Sequence, residues 1–248
     1  MIQYLLKSAD FSGLFRFVSP SFFKVVSPKV IFQIATQIKR NQSDLESWEK
    51  VASSYGESLN RAALGVQIHG SAGRVDSSGS LSSRDLGHRT LELFFHQVLT
   101  QDNWILDFRT EAFETRADGV LWKPKNYYFA PSTPFVNGVR GLYRGFYSGN
   151  DSLFDQSLRE LQMEAARESL KAHFGQGDQS SVEFKLKVFQ ETFTQVFEDC
   201  AKSGTQVQGD FFVLGLMLLG LYERLESLGL PLDVRSAFET AAKKASLH

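Results

Sequence analysis

Residues 211–228 read FFVLGLMLLGLYERLESL, and the first eleven of them, Phe211–Leu221, carry no polar or charged side chain. A segment apolar on every side belongs in the middle of a core, and Gly209 and Asp210 just before it supply a helix start. It is too long for a strand, and its apolar part is too short to cross a bilayer, which takes about twenty residues. The expected element is a central buried helix over 211–228. Other amphipathic elements must then cover it.

The flanking sequence supplies them. Val182, Leu186, Phe189, Phe193, Val196 and Cys200 recur by fours and threes, a core-facing seam behind the capping box Ser180-x-x-Glu183. Leu232–Ala245 reads as a smaller terminal helix. Upstream, Asn150 and Asp151 cap a helix carrying Phe154, Leu158, Leu161, Ala165 and Leu170, which Gly175 ends. Ser19-Pro20 and Ser27-Pro28 mark two starts near the beginning, since proline fits the first helical position at no cost in hydrogen bonds. Val30, Ile31, Ile34, Ala35 and Ile38 follow the second. Ser43-Asp44-Leu45-Glu46 is a capping box ahead of a stripe of Leu45, Trp48, Ala52, Tyr55, Leu59, Ala62 and Val66. Helical spacing returns over Asp85–Gln101, with Leu91, Phe94, Phe95 and Val98 on one face.

Two stretches break this period. Residues 69–84, HGSAGRVDSSGSLSSR, hold six serines and three glycines, which predicts a loop. The loop lacks the GKS/GKT ending of a phosphate-cradling P-loop, and could serve as a lid. Over 103–130, Trp104–Arg109, Ala112–Thr115, Val120–Trp122 and Asn126–Ala130 read as strands around the turn Ala117-Asp118-Gly119. The predicted fold is mainly α (α+β): a multi-helix bundle with a small antiparallel meander inserted near 103–130. It is read as one domain over 1–248, with N-terminal helices to residue 68 and a C-terminal helical bundle from 135.

Composition narrows the function. Of 248 residues 42% are hydrophobic, which excludes a disordered or collagen-like polymer, and the net charge of −1 excludes a histone-like basic protein. A single cysteine excludes an intramolecular disulfide framework and fits a reducing, cytoplasmic setting. Lys7 and Asp10 interrupt the apolar start before a secretory signal could form, so a soluble protein is expected. Residues 1–40 nevertheless carry a net +5 among many phenylalanines. That pattern suits either an anionic membrane surface or a helix pair with its Phe face in the core and its lysines in water.

Two constellations could carry chemistry. Asp85, His88, Glu92 and His96, spaced by three, four and four, fall on one helical stripe. His88, Glu92 and His96 could ligate zinc or iron with one ligand from elsewhere, although neither H-E-x-x-H nor E-x-x-H is present. The competing reading is a solvated face with i,i+3 and i,i+4 pairs.

The second is residues 119–150, free of Asp and Glu, where Lys123, Lys125, Arg140 and Arg144 interleave with eight aromatics including Trp122 and Tyr143. Cations beside aromatic rings can hold a phosphate, an anionic lipid head or a single-stranded nucleic acid. Gly141, Gly145 and Gly149, one helical turn apart, would let a neighbouring backbone or a ligand come close. The alternative is that the aromatics pack on the bundle while lysines reach water and arginines pair with acids elsewhere.

Asp107 and Arg109 suit a cross-strand ion pair, and Cys200 on the core seam suits a small hydrophobe better than a nucleophile. His69 has no placeable partner for a Ser-His-Asp arrangement, and His173 and His248 lie near helix or chain ends. Residues 89–108, RTLELFFHQVLTQDNWILDF, resemble part of the C-lobe of kinase-like proteins over under a tenth of the chain. The His-x-Asp catalytic loop and the Asp-Phe-Gly triplet are missing, Asp107-Phe108 being followed by Arg109, so the resemblance implies no phosphoryl transfer.

The function expected from these features is non-catalytic binding of an anionic ligand, an anionic membrane surface or a protein partner, through Lys123, Lys125, Arg140, Tyr143 and Arg144. Nucleic acid is a weaker candidate partner. The alternative is a metal-dependent enzyme built on His88, Glu92 and His96.

Overall fold

The computed structural model describes residues 20–69, 81–116, 119–174 and 181–245. The mainly α fold with small sheets is as the sequence predicts: ten α-helices among the described residues, with three short sheets between them. The helices are α1 Phe22–Val25, α2 Pro28–Ser43, α3 Leu45–Ala62, α4 Ser83–Thr100, α5 Thr133–Ser148, α6 Asp151–Glu160, α7 Arg167–Phe174, α8 Leu186–Lys202, α9 Phe211–Glu226 and α10 Val234–Ala245. The strands are β1 Val66–Ile68, β2 Trp104–Ile105, β3 Phe113–Thr115, β4 Val120–Trp122, β5 Tyr128–Phe129, β6 Ser181–Val182 and β7 Leu232–Asp233. No helix of the described residues is long and apolar enough to cross a membrane.

Two helices form the middle of the core. In α9 the apolar run is buried almost throughout, as expected. In α4 everything from Thr90 to Leu99 is buried except the half-buried Glu92, so only the first two turns, with Ser83–Asp85 exposed and His88 and Arg89 half-buried, keep polar groups at the solvent. It is sandwiched between α9, α5 and α10, and the seam on α8 (Phe189, Phe193, Val196, Phe197, Cys200) closes the core beyond α9. Phe22 joins the same core edge-on to Phe197, with ring centroids 5.0 Å apart. Aromatic pairs in this geometry add to what burial alone contributes. Residues 1–19, which hold much of the basic N-terminal stretch and Ser19 of the first start signal, lie outside the described residues, as do 70–80 of the serine-rich loop.

Several boundaries differ from the sequence reading, each for a local reason. Ser43 is the last residue of α2 and donates to the Lys39 carbonyl, so the cap of α3 falls to Asp44, which accepts from Ser47 N at 3.0 Å. Val66 leaves the helical stripe because Ala63 and Gly65 both take left-handed backbone conformations, and β1 then pairs parallel to β4. The helix expected from 150 to 175 breaks at Gln162, which is left-handed at φ 58. The break turns Leu161, Met163 and Ala166 all inward, and a 3-10 turn over Glu164–Ala166 leads into α7. Ser180 of the expected Ser180-x-x-Glu183 capping box lies outside the described residues; Ser181 and Val182 pair with Asp233 and Leu232, and α8 begins at Leu186 and α10 at Val234.

The predicted single meander is two nested antiparallel pairs. The outer pair joins Trp104 to Phe129, and the inner joins Phe113 to Trp122. Asp107 separates them. Its carboxylate accepts from Arg109 Nε at 2.8 Å, Arg109 Nη2 at 3.0 Å and Lys125 N at 2.9 Å, while its carbonyl accepts from Trp122 Nε1 at 2.9 Å. A buried carboxylate must be satisfied in this way, and doing so takes the intervening residues out of the ladder.

Gly138, Gly141 and Gly145 let α5 and α6 lie against each other. A Cβ on Gly145 would come within 2.5 Å of the Phe154 backbone nitrogen. What approaches these glycines is therefore a neighbouring helix. Gly149 ends α5 in the left-handed conformation, with no close neighbour.

Candidate functional site

Three helices each turn one face toward a common recess. On α4 Leu91, Phe94 and Phe95 share a face by i, i+3, i+4 spacing, and on α9 Leu218, Leu221 and Tyr222 do the same. From α5 come Tyr143 and Tyr147, one turn apart, and the ends are closed by Val182 and Phe184 with Val234. Together they bound a cavity of about 40 Å³, room for no more than a few waters.

The lining is apolar apart from three phenols. Phe95 meets Tyr143 and Tyr147 edge-on at 5.5 and 5.7 Å, and Phe184 meets Tyr222 at 4.9 Å. Burial pushes all three tyrosine pKa values up, and they reinforce one another: Tyr222 raises Tyr143, and both raise Tyr147. The phenols therefore stay neutral at any physiological pH and serve as hydrogen-bonding groups in an aromatic surround. Among the lining residues there is no carboxylate, imidazole, amine or thiol to act as base or nucleophile. The arrangement offers an apolar lining with a few polar tips, and an apolar body would enter only if the lining side chains part.

A polar network on the other side of α4 has a structural task. Tyr55 donates to Gln97, whose side-chain oxygen also accepts from Ile105 N, so α3, α4 and β2 are tied together. Ser58 Oγ lies 2.8 Å from His96 Nε2, a contact in which either group can donate, and accepts from Gln101 Nε2 at 2.9 Å. That is the reach of a nucleophile–base pair, but Ser58 sits inside α3, where the backbone amides are engaged in the helix and none can form an oxyanion hole.

The sequence-predicted residues are scattered. His96 is buried toward Ser58, Glu92 points to Lys244 at 4.0 Å, and His88 is half-buried further back on α4. Among the described residues no three His, Cys, Asp or Glu side chains come together as a zinc or iron site requires. Glu92 carries a raised pKa, mainly because it is desolvated, with Lys244, His88 and Arg89 pulling the other way.

The cation–aromatic stretch is likewise dispersed. Arg140 donates to the carbonyls of Val98 and Gln101, both at 3.0 Å, and reaches Asp102 at 3.3 Å. Lys123 pairs with Glu114, the exposed Lys125 gives its backbone N–H to Asp107, and Arg144 is exposed. Trp122 is in the core and Tyr143 in the recess. These groups form no common anion pocket. Asp107–Arg109 is an ion pair within one segment, and Cys200 is buried, as expected of a small hydrophobe.

Sequence reading missed Tyr222, Phe184 and Leu218 as site residues. The one available signal was a tyrosine in an otherwise apolar helix, a side chain with a polar tip that needs a partner when buried. Comparison of the chain with protein-family models and with curated proteins gives no match.

Proposed function

We propose that this chain is a non-catalytic binding protein whose ligand is a small apolar molecule with one hydrogen-bonding group, seated between α4, α5 and α9 once the lining side chains part to admit it. The observation that carries this reading is the convergence of Tyr143, Tyr147 and Tyr222, all held neutral, inside an aromatic lining. Largely apolar recesses with a few convergent polar groups are where small ligands bind. The binding role expected from the sequence is kept, and its place moves from the 119–150 cations to the recess. A cytoplasmic setting fits the lone buried thiol.

Calorimetric titration with phenol, which joins one apolar ring to one hydroxyl, tests this. Saturable binding is expected, weakened about five- to tenfold in Tyr222→Phe, because one hydrogen bond contributes about 1 kcal/mol. Leu218→Trp fills the recess and should abolish binding while the protein still melts cooperatively. Absent saturable binding, or binding undiminished in Leu218→Trp, would sink the reading.

A further inference from the structure

Arg224 stands in the last turn of α9 and is only 7% exposed. Its Nε is sealed from solvent without a hydrogen-bond partner, and among the described residues its guanidinium forms no ion pair. Its one side-chain contact of note is the ring of Phe113, 5.3 Å from the guanidinium carbon. The other arginines of low exposure are accounted for. Arg109 has Asp107 and Glu111, Arg140 has two carbonyls and Asp102, and Arg116, whose Nε is likewise without a partner, has Glu114.

A guanidinium keeps its proton at any pH the protein meets, so it cannot escape burial by becoming neutral. Cation–π contact with Phe113 offsets only part of the lost hydration. The carboxyl end of α9 contributes partial negative charge, but the Glu223 and Arg224 carbonyls there already accept from Ser227 N and Ser227 Oγ. What the group lacks is an acceptor with full charge. A planar fork of N–H donors matches two oxygens of one carboxylate or phosphate group.

We propose that Arg224, stacked on Phe113, anchors a site for a small oxyanion, a carboxylate or phosphate group taken up from solution. The site is separate from the recess. Leu218, Leu221 and Tyr222 face the recess, whereas Gly220, one turn before Arg224, abuts the Phe108 and Arg109 backbone, where an added Cβ would sit 3.3 Å from the Phe108 carbonyl carbon.

Thermal melts of the full chain in chloride, acetate and phosphate at matched ionic strength test this, with Arg224→Met beside the wild type. Methionine keeps the apolar stem and removes the charge. Phosphate stabilises proteins generally by exclusion, so the readout is the difference between the two proteins. Acetate or phosphate should raise the wild-type Tm by roughly 3–6 °C more than that of the variant at ten times Kd, and the effect should saturate. In chloride the variant should melt at or above the wild type, because an uncompensated buried charge is gone. A response to phosphate alone, or to acetate alone, supports the site and names its anion. Equal shifts in both proteins, or a variant that melts lower in all three salts, overturns it. If Arg224→Met loses its cooperative melt, Arg224→Gln is judged by the same comparison.

Discussion

The guanidinium of Arg140, on α5, donates to the main-chain carbonyl of Gln101 at 3.0 Å, where α4 ends. The last turn of α4 has no basic residue of its own, so its carbonyl end is capped from a neighbouring helix. Arg140→Ala should therefore cost about 1–3 kcal/mol in urea denaturation, because it strands buried carbonyls at the end of a core helix. Arg144→Ala, one turn further along the same helix but exposed, should stay within about 0.5 kcal/mol. Equal effects would show that Arg140 does not cap α4.

The small residues of α5 carry an opposite pair of outcomes. In Gly145→Ala the new methyl meets backbone atoms of Phe154 at 2.5 and 2.8 Å, and a helix backbone cannot step aside cheaply. The variant should lose about 2 kcal/mol or more. Gly215→Ala in α9 meets nothing within 4 Å and should gain about 0.5–1 kcal/mol from reduced backbone entropy in the unfolded chain. Chemical denaturation of the two variants checks both signs.

Glu92 gives a pH dependence. Its carboxyl is desolvated and its pKa is raised from the usual 4.5, so the folded state holds this proton more tightly than the unfolded chain does. Its favourable share of stability is full below the ordinary glutamate value and is lost as pH rises through the raised one. Glu92→Gln should be more stable than the wild type at neutral pH, and the gap should close toward pH 4. Stability curves that run parallel across that window would mean that Lys244, His88 and Arg89 fully compensate the carboxylate.

Cys200 should be silent toward thiol reagents. Burial, with Asp199 and Glu164 nearby, pushes its thiol pKa up to about 11. Reactivity belongs to the thiolate, so both access and chemistry oppose labelling. Iodoacetamide should modify Cys200 only after denaturation, at a rate that follows global unfolding. Rapid native-state labelling would contradict the seam position on α8.

The sequence by itself determined the mainly α class, the central α9 and the seam on α8. In each case the pattern is local and repeats with the helical period, so it is readable without knowing what lies opposite. Tertiary structure alone decided the rest. Glu92 and His96 share a stripe that looks like a solvated or metal-binding face, yet beyond its first two turns α4 is packed in the core with only Glu92 half-exposed until its last residue, and only the positions of the surrounding helices show it. Arg140 and Lys123 belong to an acid-free stretch that looks like an anion site, yet their partners, Gln101 and Glu114, come from other elements. Tyr143 and Tyr222 are 79 positions apart in the chain. What makes them a site is that α5 and α9 both pack against α4, a long-range arrangement that leaves no period in either segment.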